Sequence, residues 1–178
     1  MPRALVIVDI QNDYFPGGRA ELVGSEAAAE RAAVVLQAFR DRGEPVVHVQ
    51  HVWEGDDAAF FAPGTPGVEI HPLVQPADGE PVVQKAYPNG FRETGLEQRL
   101  RSAGVGEVVV CGMMTSMCVD ATVRAAVDLG FGCTVVHDAC ATLDLEFGGE
   151  TIPAHSVHGA FLAALADGYA TVTSSGDV

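Results

Sequence analysis

Six short runs of consecutive, largely β-branched apolar residues alternate with helical stretches, and that alternation leaves the chain few folds to choose from. The runs are RALVIV (3–8), PVVHVQHV (45–52), EPVVQK (80–85), EVVVCG (107–112), CTVVHD (133–138) and YATVTS (169–174). Between them lie helical patterns over 25–43, 96–104, 118–130 and 154–168. Ser25 reads as the N-cap of the first helix and Gly43 as its stop. Strands that are apolar on both faces belong inside a parallel sheet with helices on each side. The expected fold class is α/β, a three-layer α/β/α sandwich around a central, mostly parallel six-stranded sheet. No linker, repeat or low-complexity segment divides it, so residues 1–178 read as a single domain. Two irregular pieces, 53–79 and 139–153, are long for a compact domain; the first reads as a lid or pocket wall.

Charge narrows the function. With 24 acidic against 10 basic residues the formal net charge is −14. Nucleic-acid binding needs a basic face, so it is not expected; an acidic surface attracts cationic small molecules. The N-terminal MPRALVIVDIQND holds an apolar run too short for a signal-peptide core or a membrane span. A cytoplasmic protein without membrane partners is therefore expected. Of the four cysteines, Cys111 and Cys133 sit in strand runs and read as small buried hydrophobes. Cys140 has no evident role. In a reducing compartment no disulfide framework is expected, and without a CxxC pair no zinc knuckle is expected.

In an open parallel sheet, ligands bind beyond the carboxyl ends of the strands. Asp9 follows the first run, Lys85 ends the third, and Cys118 follows the fourth through the loop GMMTSM. Individually these read as a turn residue, a solvated charge and a core thiol; on one rim they make an acid, a cation and a nucleophile. A helix N-terminus and a nearby lysine both favour thiolate. Asp9 is positioned to take the thiol proton, and backbone N–H groups of Met114 and Cys118 to hold an oxyanion. Such a set performs acyl transfer from carbon to water through a thioester.

Three separated stretches, ALVIVDIQNDYFPGG, QKAYPNGFRETGLEQRL and VVVCGMMTSMCVDATVRAAVDLGF, resemble the isochorismatase-like cysteine hydrolase superfamily, which includes nicotinamidases, N-carbamoylsarcosine amidohydrolases and streptothricin hydrolases. The resemblance covers nearly the whole chain. It implies a Rossmann-like sheet, amidase chemistry, Asp9, Lys85 and Cys118 as the triad, a cis peptide at Met113–Met114, and a homodimer or homotetramer. Cys118 argues against isochorismatase activity itself, since isochorismatases lack that thiol. Nicotinamidases carry an Asp-x-His pair after the second strand to bind a metal; here His51 and Trp53 stand there, and His71 is a weak substitute for a later histidine. No metal and no other cofactor is therefore expected. GMMTSMCVDATVRAA and FFAPGTPGVEIHP resemble streptothricin-hydrolase-like members most, which suggests a small amide, lactam or ureide as substrate. A nicotinamidase-type amidase and a catalytically idle binding member are the alternatives.

Candidate pocket residues are Gln11, Phe15, Trp53, Phe60, Phe61, Tyr87, Phe91 and Thr115, with Ser116 as a further hydroxyl. His155 and His158 lie one helical turn apart, and His137 ends the fifth run.

Overall fold

The computed structural model describes residues 1–53, 55 and 57–178. Its strands and helices, in chain order, are β1 (Arg3–Val8), α1 (Ser25–Arg42), β2 (Val46–His51), β3 (Val82–Lys85), α2 (Leu96–Ser102), β4 (Glu107–Met113), α3 (Asp120–Asp128), β5 (Gly132–Ala141), β6 (Leu145–Phe147), β7 (Glu150–Ile152), α4 (Ala154–Gly168) and β8 (Thr171–Thr173). Six strands form one sheet in the order β3-β2-β1-β4-β5-β8, and every pair is parallel. β1, β2 and β4 are buried almost throughout, β1 and β4 as apolar runs and β2 with His48, Gln50 and His51 buried among its valines. Helix α1 packs on β1, β4 and β5, while α3 packs on β5 and α4. Among the described residues no helix is long and apolar enough to cross a membrane.

Local chemistry moves several boundaries. Helix α1 is capped by Gly24, whose φ of 75° suits glycine, and Ser25 is a buried first-turn residue making no side-chain cap. Gly43 closes the helix in the left-handed conformation (φ 65°), as its position in the sequence indicates. The stretch 139–153 is not a loop. β5 runs on to Ala141, and β6 and β7 form an antiparallel hairpin. Its two-residue turn, Gly148–Gly149, has φ of 62° and 84°, the pairing that a type I′ turn demands. Of the irregular stretch 53–79, the part from 57 onward is pinned rather than loose. The buried Asp13 carboxylate accepts from the Phe61 N–H at 2.6 Å and the Arg19 N–H at 3.2 Å. Gly67 lies so close to that carboxylate that any Cβ would collide with it.

At the amino end of the sheet Glu80 forms a second clamp. Arg40 donates to both of its oxygens (2.7 and 2.8 Å), the His48 Nε2–H donates at 2.9 Å and the Ala77 N–H at 2.9 Å. Arg40 above all, with Ala77 and His48, holds the Glu80 carboxyl down to about 2. A carboxylate depressed in the folded state stabilises it above the unfolded pKa and loses that contribution as pH falls through the folded value. Stability should therefore drop between about pH 4.5 and 2. Glu80→Gln should flatten that part of the curve in urea melts taken at stepped pH.

Candidate active site

β1 and β2 end side by side, β3 pairs beyond β2, and β4 pairs with β1 on its other edge, so four strands deliver their carboxyl ends to one rim. Asp9 follows β1 with φ of 50° and is fully buried. His51 and Lys85 face each other as the last register pair of β2 and β3. From β4 the chain passes through a cis Met113–Met114 peptide into a single π-helical turn, Thr115–Val119, and then into α3. Cys118 sits in that turn, and the α-helix proper begins only at Asp120. Such π turns recur at functional sites. Within it the Met114 carbonyl accepts from both the Met117 and Val119 N–H groups, each at 3.1 Å.

Gly112 lets this happen. Its φ is 134°, and a Cβ would strike the Val8 carbonyl. Gly112→Ala should therefore destabilise the fold by about 3 kcal/mol or more, read as a lowered urea midpoint with unchanged slope.

One ammonium joins the site. Lys85 Nζ lies 2.7 Å from Asp9 Oδ2, 2.9 Å from His51 Nδ1 and 3.2 Å from Cys118 Sγ. All four side chains are buried. Burial pushes the Asp9 carboxyl above its ordinary value, against the pull of Lys85. Burial first, and the charge of Asp9 second, push the Cys118 thiol well above the ordinary range; Lys85 opposes them and loses. The sequence reading expects lysine and helix terminus to favour thiolate, but in the closed site desolvation outweighs both. The resting sulfur is a thiol with the buried Asp9 carboxyl alongside. His51, desolvated and next to Lys85, has its pKa lowered to about 4 and is neutral at pH 7.

Acceptor atoms of Asp9, His51 and Cys118 all lie within 4.8 Å of one another, close enough to suggest a metal site. Lys85 Nζ already touches all three, however, so a second cation would have to displace an ammonium from its own counter-ion. The cluster does not fit a metal ion. His71, the weak metal candidate, instead stacks on Phe15 at 3.7 Å and caps a short turn through Nδ1.

Other candidates divide. Trp53 and Phe60 belong to a continuous group of rings with Tyr14, Phe61 and His51: Trp53 lies 6.0 Å from His51 and 5.4 Å from Phe60, and Phe60 lies 4.9 Å from Phe61. Tyr87 is stacked under Arg92 at 3.5 Å and lines a small cavity with Val52, Gln84 and Lys85. Gln11 has a different role from the one its position suggests. It is fully buried, its Nε2 donates to the carbonyls of His51 (2.8 Å) and Val68 (2.7 Å), and its Oε1 accepts from the His51 N–H (2.8 Å). Thr115 is likewise occupied, between the Ala141 carbonyl (3.3 Å) and His158 Nδ1 (2.9 Å), so its hydroxyl ties the π turn to β5 and α4. Ser116 does the same through Thr142 at 2.8 Å. Phe91 is carried away from the thiol and stacks at 6.0 Å on Phe131, which precedes β5 at the other end of the sheet. His158 gives its Nδ1 to Thr115, while His155 is exposed.

Tyr14 and Asp13 are absent from the sequence-derived set. Tyr14 is buried, 4.7 Å edge-on from Phe61, and burial above all pushes its phenol pKa further up. Both lie within the stretch ALVIVDIQNDYFPGG, but its polar and glycine-rich second half gives no sign that these side chains are buried.

A six-stranded parallel sheet flanked by helices, with a buried acid, ammonium and thiol at its carboxyl rim, defines a Rossmann-like hydrolase. Residues 3–177 match the isochorismatase domain. The chain is 53% identical over 175 residues to the isochorismatase family protein YddQ of Bacillus subtilis, covering 98% of this chain and 97% of that one. It is 41% identical over 156 residues to streptothricin hydrolase of Streptomyces noursei, covering 85% of this chain but only 55% of that longer protein. A crystal structure of an isochorismatase-type hydrolase from Oleispira antarctica superimposes with a TM-score of 0.96 at 51% identity, covering 99% of this chain and 95% of that one. The protein belongs to the isochorismatase family of hydrolases.

Proposed function

We propose that the protein hydrolyses a carbon–nitrogen bond of a small amide, lactam or ureide through a thioester on Cys118. The observation that carries this reading is the single buried ammonium of Lys85 in contact with both Asp9 and Cys118. Asp9 takes the thiol proton as sulfur attacks the carbonyl carbon. The N–H groups of Met114 and Cys118, at the start of the helical segment, receive the oxyanion. Collapse breaks the C–N bond, and Asp9 returns the proton to the departing nitrogen. Water, deprotonated by Asp9, then cleaves the thioester to a carboxylic acid and restores the thiol. Lys85 keeps Asp9 ionised between these transfers.

The 41% identity to a streptothricin hydrolase favours a lactam, and the −14 charge suits a cationic molecule. The same reading has the enzyme acting as a cytoplasmic dimer or tetramer without cofactor. A screen of amides, lactams and ureides, followed by ammonia release and product mass, tests the reaction. Intact-protein mass after rapid acid quench should show an acyl adduct confined to the peptide holding Cys118. Turnover without any such adduct would refute the thioester.

A further inference from the structure

His51 holds a donor that no described residue uses. Lys85 has three ammonium protons, and its three close neighbours are Asp9 Oδ2, His51 Nδ1 and Cys118 Sγ. An ammonium can only donate, so His51 Nδ1 must present a lone pair, and the neutral ring carries its proton on Nε2. Its lowered pKa, about 4, agrees with a neutral ring. His51 Nε2 is buried, and among the described residues it has no hydrogen-bond partner. Native proteins rarely leave such a group alone.

The ring is held with care. Gln11, fully buried, bonds both the N–H and the carbonyl of His51 and is braced in turn on Val68. Around the imidazole stand Trp53 at 6.0 Å and Phe61 at 5.8 Å, with Phe60 beyond them. An ordered water needs two or more polar partners, and aromatic rings supply none of that kind. A flat organic group bearing one acceptor atom matches both the rings and the lone donor.

Resting on the cysteine-hydrolase reading above, we propose that the His51 Nε2–H selects the substrate, by donating a hydrogen bond to a neutral acceptor, a carbonyl oxygen or an unprotonated ring nitrogen, on the planar part of the substrate beside the scissile carbonyl. Gln11 positions that donor. A cationic nitrogen does not fit there, because it would meet an N–H with the Lys85 ammonium behind it. Any positive charge on the substrate lies farther out on the rim.

Aldehydes test this without the natural substrate, since a thiol adds across the carbonyl: the S–C bond forms and the thiol proton ends on the new hydroxyl. Dissociation constants for benzaldehyde and for the 2-, 3- and 4-pyridinecarbaldehydes are measured on the wild-type protein, His51→Phe and His51→Gln. The intrinsic ratios come from 2-mercaptoethanol. At least one pyridine isomer should bind the wild type about tenfold tighter than benzaldehyde beyond its intrinsic ratio. His51→Phe, which keeps a ring but no donor, should return the ratio to the intrinsic one. His51→Gln, which keeps an N–H at a similar reach, should retain most of the preference. A ratio equal to the intrinsic one on the wild type, or unchanged in His51→Phe, overturns the role. The iodoacetamide rate at Cys118 is followed in parallel. Failure of every aldehyde to add, with slow alkylation as well, overturns the nucleophile itself and the donor with it. Normal alkylation with no ring preference overturns the donor alone.

Discussion

Replacing Cys118 with alanine should lower kcat by at least about 10⁴-fold while leaving the protein folded, because a missing nucleophile removes the covalent route entirely. The side chain is buried in a closed π turn, and its sulfur lies 3.2 Å from Lys85 Nζ with Asp9 beside it. Loss of one small buried atom should shift the melting temperature by only about 3 °C in either direction. Activity on the best substrate of the screen and a thermal melt on the same sample check both halves. Cys118→Ala with wild-type turnover would remove the nucleophile from the mechanism.

Asp9→Asn is expected to combine two large effects that arise from one atom. An amide cannot take the thiol proton, so turnover should fall by about 10²–10⁴-fold. It also leaves the Lys85 ammonium buried without its counter-charge, and breaking a buried pair from one side destabilises by about 3–5 kcal/mol. The effects separate in a second variant. Asp9→Asn combined with Lys85→Met removes both charges and should recover most of the stability in a urea melt, yet remain inactive. If the double variant is no more stable than the single one, the contact at 2.7 Å is not what holds that rim together.

How far the site is legible in the sequence depends on the kind of signal each residue leaves. Asp9 and Lys85 are legible because each directly follows or ends an apolar run, and Cys118 because a short loop links it to one; a parallel sheet gathers such ends at one rim. The six strands are legible from short β-branched runs that alternate with helical patterns. The hairpin β6–β7 leaves no such trace: its residues are exposed or half-exposed, Phe147 at 79%, so no burial alternation runs through LEFGGETI. Only Gly148–Gly149 signals the turn. The π turn depends on one extra residue per turn, which hydrophobic periodicity does not encode. Gln11, Thr115 and Phe91 show a different limit. Each lies near a motif in sequence, but the direction of the side chain decides what it does. Gln11 and Thr115 satisfy buried backbone and ring groups, and Phe91 faces the far end of the sheet. The protonation state of Cys118 is the hardest to read. Lysine proximity can be guessed from strand order, whereas the desolvation that overrides it exists only once the core has closed.

The three protons of Lys85 reach partners that arrive from three distant parts of the chain: the end of β1, the end of β2 and the turn after β4. None of these partners meets the ammonium through local sequence, so a partly assembled sheet leaves it short of at least one. The site is thus a logical conjunction written in polar contacts, complete only when β1, β2, β3 and β4 are all seated. Loss of catalytic competence and loss of the sheet become one event, and the enzyme's activity serves as a gauge of its whole architecture.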